Sequence, residues 1–297
     1  YHDQNTFDHP EKLPPGANLF SLVWVYLIKD CGTKKSRCVC NGSPNMRGTV
    51  TLAETYASAL DQTGSKMFWS AAAINNYIVI GTDASNAFAE APPPKAPLYV
   101  RIDENFRCWY HHKFSEHHPI PPDHVMRVKR ALQGHPESPR LWATLIDGII
   151  QNLNLHPCTH EPNLYFTDNY KGTHKRVIFM RQVDDFAIAC QDESLAEQVI
   201  ANINSKMSIE VKKLGVISRY NGVDVEQRKE YIKLHNTTYI NKLILQHKWL
   251  QEDKAPMHQH PLPMHPDNKY QHELETANPL TPEEKLQVEQ ELQFSYR

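Results

Sequence analysis

Two short apolar runs, Val177–Met180 and Phe186–Cys190, flank the stretch Arg181-Gln182-Val183-Asp184-Asp185. Runs of this length, rich in β-branched and aromatic residues and bounded by polar ones, read as strands. The pattern predicts a β-hairpin carrying two carboxylates at its tip. Adjacent aspartates in a tight turn repel each other unless a cation neutralises them. A further apolar run, Tyr77–Ile80, leads into Gly81-Thr82-Asp83 and reads as a buried strand that also ends in a carboxylate. If the two strands are neighbours, Asp83, Asp184 and Asp185 converge. Oxygen clusters of that kind hold Mg²⁺, which keeps part of its water shell and binds substrate phosphates. Two such ions ~3.5–4 Å apart serve phosphoryl transfer. Aspartate is also common in ordinary turns, so the pair alone does not fix a function.

The rest of the chain supplies cover for these strands. Ser138-Pro139 opens the clearest helix, with Ser138 placed to cap it and Pro139 at the first helical position. Its wide apolar face is Leu141, Trp142, Leu145, Ile146, Ile149, Ile150 and Leu153. Ser65–Ile74, with Ser65 as cap, and a segment capped by Ser194 with Leu195, Val199, Ile203 and Met207 in line, read as two more helices. Leu22–Ile28 and Arg37–Cys40 form a hairpin about Cys31-Gly32-Thr33. Leu98–Ile102 reads as an edge strand between a proline cluster and a His/Pro-rich loop containing His111, His112 and His117 to Pro122. Short strands are expected near Val211 and Val223–Val225, with a turn at Leu214-Gly215, then a helix from about Thr238 to His247. The order of elements gives an α+β fold.

Charge divides the chain into three. Residues 1–19, with Pro10, Pro14 and Pro15 and no apolar periodicity, read as a loose lead-in of net charge −2. Residues 20–250 carry 27 basic and 22 acidic side chains, net +5, compatible with a polyanionic partner. Residues 251–297 carry 4 basic and 9 acidic side chains, net −5, and are rich in Pro and His. They read as a linker or the start of a following region, with a polar helix opening at Thr281-Pro282-Glu283-Glu284. The longest apolar run, Leu22–Ile28, is far short of the ~20 residues that cross a bilayer, so no membrane role is expected. Six cysteines are too sparse for a disulfide scaffold. Cys31, Cys38 and Cys40 lack the paired spacing of zinc sites. The chain begins at Tyr1 and stops at Arg297 inside a helix-like pattern, and it is read as a fragment.

Five elements, in order, carry a resemblance. Lys29, Gly32 and Lys35-Ser36-Arg37-Cys38-Val39 are similar to the fingers segment of copia-type retrotransposon reverse transcriptases. Thr82-Asp83-Ala84-Ser85-Asn86-Ala87-Phe88 resembles their Asp-containing MDVKTAF segment, and Gln182-Val183-Asp184-Asp185 their YVDD box. Gln133 to Trp142 resembles YGLKQSPRxW, and Leu214-Gly215 followed by Tyr220 to Val225 resembles LG…FLGIEV. Two departures stand out: Gln182 replaces the usual aromatic, and His135-Pro136-Glu137 replaces Leu-Lys-Gln.

The resemblance implies a polymerase right hand with fingers and an antiparallel-sheet palm over residues 20–250. It implies an RNA-directed DNA polymerase using deoxynucleoside triphosphates on an RNA or DNA template with a primer. Asp83, Asp184 and Asp185 would be the catalytic carboxylates holding two Mg²⁺, with Mn²⁺ an alternative. Phe88 would exclude a 2′-hydroxyl; as a residue alone it reads equally well as a core aromatic. Arg37, with Lys29 and Lys35, would contact the triphosphate, since arginine offers phosphate a bidentate fork. Gln133 and Gly134 would sit beside the nucleotide, and Ser138, Pro139, Arg140, Leu214 and Gly215 beside template and primer. The expected setting is a cytoplasmic particle or the nucleus. The competing reading is a catalytically decayed remnant of the same fold that only binds nucleic acid.

Overall fold

The computed structural model describes residues 4–28, 32–42, 55–116, 119–246, 281–283 and 286. Two compact units are present, residues 1–234 and 235–297. The first begins with strands Phe7–Lys12 (β1), Asn18–Phe20 (β2), Leu22–Ile28 (β3) and Lys34–Cys40 (β4). Helix Gln62–Ile74 (α1), strand Ile78–Ala84 (β5), a 3₁₀ turn at Ala87–Glu90 and strand Leu98–Arg101 (β6) follow. Then come helix Glu104–Lys113 (α2), strand His124–Val128 (β7) and helix Ser138–Gln151 (α3). The chain continues through strands His156–Pro157 (β8), Leu164–Thr167 (β9), Val177–Gln182 (β10) and Asp185–Cys190 (β11) to helix Glu193–Asn204 (α4). Strands Val211–Val216 (β12), Arg219–Tyr220 (β13), Val223–Gln227 (β14) and Ile232–His235 (β15) come next, and helix Thr237–Gln246 (α5) lies in the second unit.

The main sheet has the order β12-β5-β11-β10-β9-β8, with every neighbouring pair antiparallel. Its central strands β5, β10 and β11 are largely apolar because both faces are covered. Side chains alternate across a strand, so Val177, Phe179, Phe186, Ile188 and Cys190 pack on one side with Trp142, Ile146 and Ile150 of α3 and Leu195, Val199 and Ile203 of α4. Ile178, Met180, Ala187 and Ala189 pack on the other with Phe68, Trp69 and Ala72 of α1. A second sheet, β1-β7-β6-β2, encloses a smaller core around Phe20, Leu98, Val100, Met126 and Leu132.

Several local expectations are corrected. The lead-in is partly ordered strand, because Phe7–Lys12 pairs with β7 and Asn18–Phe20 runs parallel to β6. Pro10 is compatible with this because β1 lies at the sheet edge, where one side needs no partner. Conversely β6, expected at an edge, lies between β7 and β2. His111 and His112 close helix α2, which Asp103 caps by accepting from the Phe106 N–H at 2.8 Å. The serines expected to cap helices do not: Asp61 accepts from the Gly64 N–H at the start of α1, and Asp192 from the Leu195 N–H at 2.9 Å at the start of α4. Glu137 precedes α3 without a side-chain cap, and the Ser138 hydroxyl instead donates to the Leu132 carbonyl at 2.7 Å. At α1 and α4 an aspartate, four and two residues upstream, takes the place of the serine because an ionised acceptor makes the stronger bond. Most of residues 251–297, expected to be a linker, lie outside the described residues; Pro282, Glu283 and Leu286 are helical.

Candidate active site

Pairing of β5 with β11 sets Asp185 directly opposite Asp83. The Ala84 N–H donates to the Asp184 carbonyl at 2.9 Å, which ties the hairpin tip to the end of β5. The three aspartates therefore stand at the same end of the sheet. The hairpin is tighter than expected: β10 extends to Gln182 and β11 starts at Asp185, leaving a turn of Val183 and Asp184. Val183 takes a left-handed conformation, φ 56°.

The gathering has an electrostatic signature. Burial, then repulsion from Asp184 and Asp83, pushes the Asp185 carboxyl up to about 6, with Lys35 opposing. Asp184 is exposed at the tip, yet the walls around it desolvate its carboxyl and raise its pKa. Its own backbone N–H, Lys35 and Arg37 pull the other way, while Asp83 adds to the rise. The Ser85 hydroxyl donates to the Asp83 carboxylate at 3.3 Å. Among the described residues no group of three His, Cys, Asp or Glu side chains is placed so that it could hold a metal ion.

Beside the tip lies a pocket of about 350 Å³ that draws its walls from five separate segments, Trp24 of β3 among them. Lys35 and Arg37 come from β4, Phe88 from the 3₁₀ turn, Gln133 from the loop before α3, and Val183 and Asp184 from the hairpin tip. Two cations, an aromatic ring, an amide and an acid thus face one cavity the size of a small polar ligand. Phe88 is half-buried, with part of its ring against the main core. Asn86, which turns the chain from β5 toward Phe88, adopts a left-handed conformation (φ 53°) that asparagine tolerates well. Its side-chain amide donates to Gln4.

The remaining sequence candidates separate. Gly134 does not line the pocket but holds its wall. With φ 90° and a Cβ position 2.2 Å from the Cys40 carbonyl oxygen, it must be glycine for the loop to meet β4. There the Cys40 N–H donates to the Gln133 carbonyl at 2.6 Å. Ser138 is buried, Pro139 half-buried and Arg140 exposed. Leu214 and Gly215 are part of β12 rather than a turn between strands, and they lie outside the pocket. A register shift between Lys213 and Gly215, with Gly215 at φ 85°, lets the strand continue past Leu214. Lys29 lies outside the described residues. Cys38 and Cys40 are buried, their thiols pushed up to about 11 and about 12 by burial first.

Three participants were not singled out from sequence. Trp24 lines the pocket. The Trp142 indole N–H donates to the Val183 carbonyl at 2.7 Å, and the Tyr220 hydroxyl to the Asp185 carbonyl at 3.1 Å. Trp142 and Tyr220 stand inside the quoted motifs, but only their contacts distinguish them from other core aromatics.

Comparison with known proteins gives the class. The family model described as reverse transcriptase (RNA-dependent DNA polymerase) matches residues 5–257, and the chain belongs to that family. Among curated proteins it is similar to the Retrovirus-related Pol polyprotein from transposon RE2 of Arabidopsis thaliana, 20% identical over 251 residues. The match takes in 81% of this chain and spans 16% of that polyprotein. Among solved structures it is similar to telomerase from Candida albicans in complex with a fragment of telomeric RNA, with TM-score 0.41 and 10% identity over 84% of this chain and 52% of that one. The retrotransposon resemblance read from five short elements is borne out, and with it the assignment to the RNA-directed DNA polymerases.

Proposed function

We propose that the chain is the reverse transcriptase portion of a copia-type polyprotein and extends a primer 3′ end on an RNA or DNA template. In this reading the main sheet is the palm, and the β1-β7-β6-β2 sheet with the β3–β4 ribbon belongs to the fingers. One observation carries it: the pocket joins Lys35, Arg37, Phe88 and Gln133 to Asp184, five side chains each assigned to nucleotide or metal beforehand.

Arg37 and Lys35 bind and orient the triphosphate, the arginine through its planar fork. Phe88 takes the space that a 2′-hydroxyl would need, and Gln133 lines the same pocket. Asp83, Asp184 and Asp185 fit divalent cations chemically: they are three oxygen donors whose mutual repulsion a cation relieves. When bound there, Mg²⁺ or Mn²⁺ supplies charge neutralisation for the attacking hydroxyl and the leaving pyrophosphate. The remaining contribution of the protein is alignment, with no covalent intermediate on a side chain.

Asp184→Asn tests the reading, because it removes charge while preserving volume. Primer extension with Mg²⁺ is expected to fall below detection, and duplex binding to persist with its salt dependence, since phosphate contacts elsewhere supply the affinity. Equal extension by parent and variant would remove Asp184 from the metal site. A parent that binds duplex and extends nothing would favour the decayed, binding-only remnant.

A further inference from the structure

Three consecutive carbonyls at the acidic tip are each held by a different part of the fold. Trp142 of α3 donates to Val183, Ala84 of β5 to Asp184, and Tyr220 of β13 to Asp185. The first of these bonds is the most demanding. Val183 is β-branched and sits at φ 56°, a conformation that persists only where the surroundings over-determine it. Trp142 is fully buried in the main core, so its indole N–H has little freedom to point elsewhere.

Trp142 also lies one turn into a helix whose start is tied to the pocket wall. Ser138 is bonded to the Leu132 carbonyl, and the Gln133 carbonyl to the Cys40 N–H. The same short segment, 132–142, therefore touches the strand that carries Arg37 and the turn that carries Asp184.

We propose that Trp142 is a positioning residue: its indole N–H holds the Val183 carbonyl and so sets the direction in which Asp184 and Asp185 present their carboxylates. The proposal rests on the catalytic reading of those acids for its consequence in activity, but not for its structural content.

Trp142→Phe keeps an aromatic ring in the core and removes the donor. Amide hydrogen exchange over residues 183–186 is expected to speed up by about 3- to 10-fold, the ratio that one intramolecular hydrogen bond is worth, while exchange in α4 stays as in the parent. The Mg²⁺ concentration giving half-maximal primer extension is expected to rise by a similar factor, with the KM for deoxynucleotide unchanged. Adding Val183→Gly should recover part of the loss, because glycine adopts positive φ without help. Unchanged exchange at the tip, or faster exchange spread evenly over the core, would overturn the proposal and make Trp142 a packing residue only. Should Trp142→Phe fail to fold, 3-benzothienylalanine at position 142, which puts sulfur where the N–H was at nearly equal volume, carries the same exchange test. A parent that extends no primer would remove the catalytic reading, while exchange at the tip and Mn²⁺ titration would still decide whether Trp142 positions the acids.

Discussion

Two hairpins that each contain a strongly apolar strand meet at the candidate active site, and the fold treats them in opposite ways. β10–β11 lies inside the six-stranded sheet, and apart from its tip its side chains are buried on both faces. β3–β4 forms a two-stranded sheet of its own, and six successive apolar residues, Val23 to Ile28, stand exposed. Apolar sequence alone therefore does not decide burial; neighbours do. An isolated hairpin is marginally stable in water, so the ribbon depends on its root, where Cys40 joins the smaller core and Leu22 packs against it. The consequence for chemistry is a division of labour. Repelling acids, which need rigid support, sit on the buried hairpin, while Lys35 and Arg37, the cations proposed to meet the triphosphate, sit on the other.

Truncation tests that contrast most severely. Phe186→Ala, at a fully buried position on β11, is expected to cost about 3–5 kcal/mol in urea unfolding. Leu27→Ala, at an exposed position on β3, is expected to cost less than about 1 kcal/mol, the span of strand propensity. Comparable losses would mean that the ribbon is packed in solution and that the two hairpins do not differ as described.

The contrast also marks what the sequence could disclose. Val177–Met180, Phe186–Cys190 and the α3 face were legible because a buried strand or helix shows itself as an unbroken or 3.6-period apolar pattern. The convergence of Asp83 with Asp184 and Asp185 was legible as a conditional, and pairing of β5 with β11 meets the condition. The ribbon reads like any buried hairpin, since nothing local records the absence of a covering layer. The strand at Phe7–Lys12 was missed because Pro10 outweighed a pairing made with residues more than a hundred positions away. Caps were misassigned by a few residues because serine and aspartate compete for one role and only the folded geometry chooses. Trp142 and Tyr220 could not be read at all as anchors of the tip. Their polar atoms reach carbonyls, and a carbonyl leaves no trace in a sequence.

The ribbon should matter more to the ligand than to the fold. Arg37 pairs across the ribbon with Val25 and lines the pocket, so Arg37→Ala is expected to leave the melting temperature nearly unchanged. Loss of a charge-assisted hydrogen bond to phosphate, worth about 1.5–3 kcal/mol, should raise the KM for deoxynucleotide by one to two orders of magnitude. Steady-state kinetics on a primed template separates the outcomes. A KM equal to that of the parent would leave the triphosphate without its partner on the ribbon, and the division of labour would fail.

The smallest effect expected is the most specific to the buried hairpin. With the Asp185 carboxyl pushed up to about 6, above its unfolded value near 4, the folded chain holds a proton that the unfolded chain has released. Between those two values folding takes up a proton, so stability falls as pH rises through that window and stays at the lower level above it. In the absence of divalent cation, the parent should therefore melt lower at pH 7 than this group alone would allow at pH 4. Asp185→Asn removes the charge that causes the penalty, so it should melt a few degrees above the parent at pH 7, with the gap closing toward pH 4. Mg²⁺ reverses the comparison: it raises the melting temperature of the parent, whose acids it neutralises, and does little for the variant. Thermal scans at the two pH values, with and without Mg²⁺, decide the matter. A variant no more stable than the parent at pH 7 would show that the three acids do not strain one another, and the physical reason for placing a cation among them would be lost.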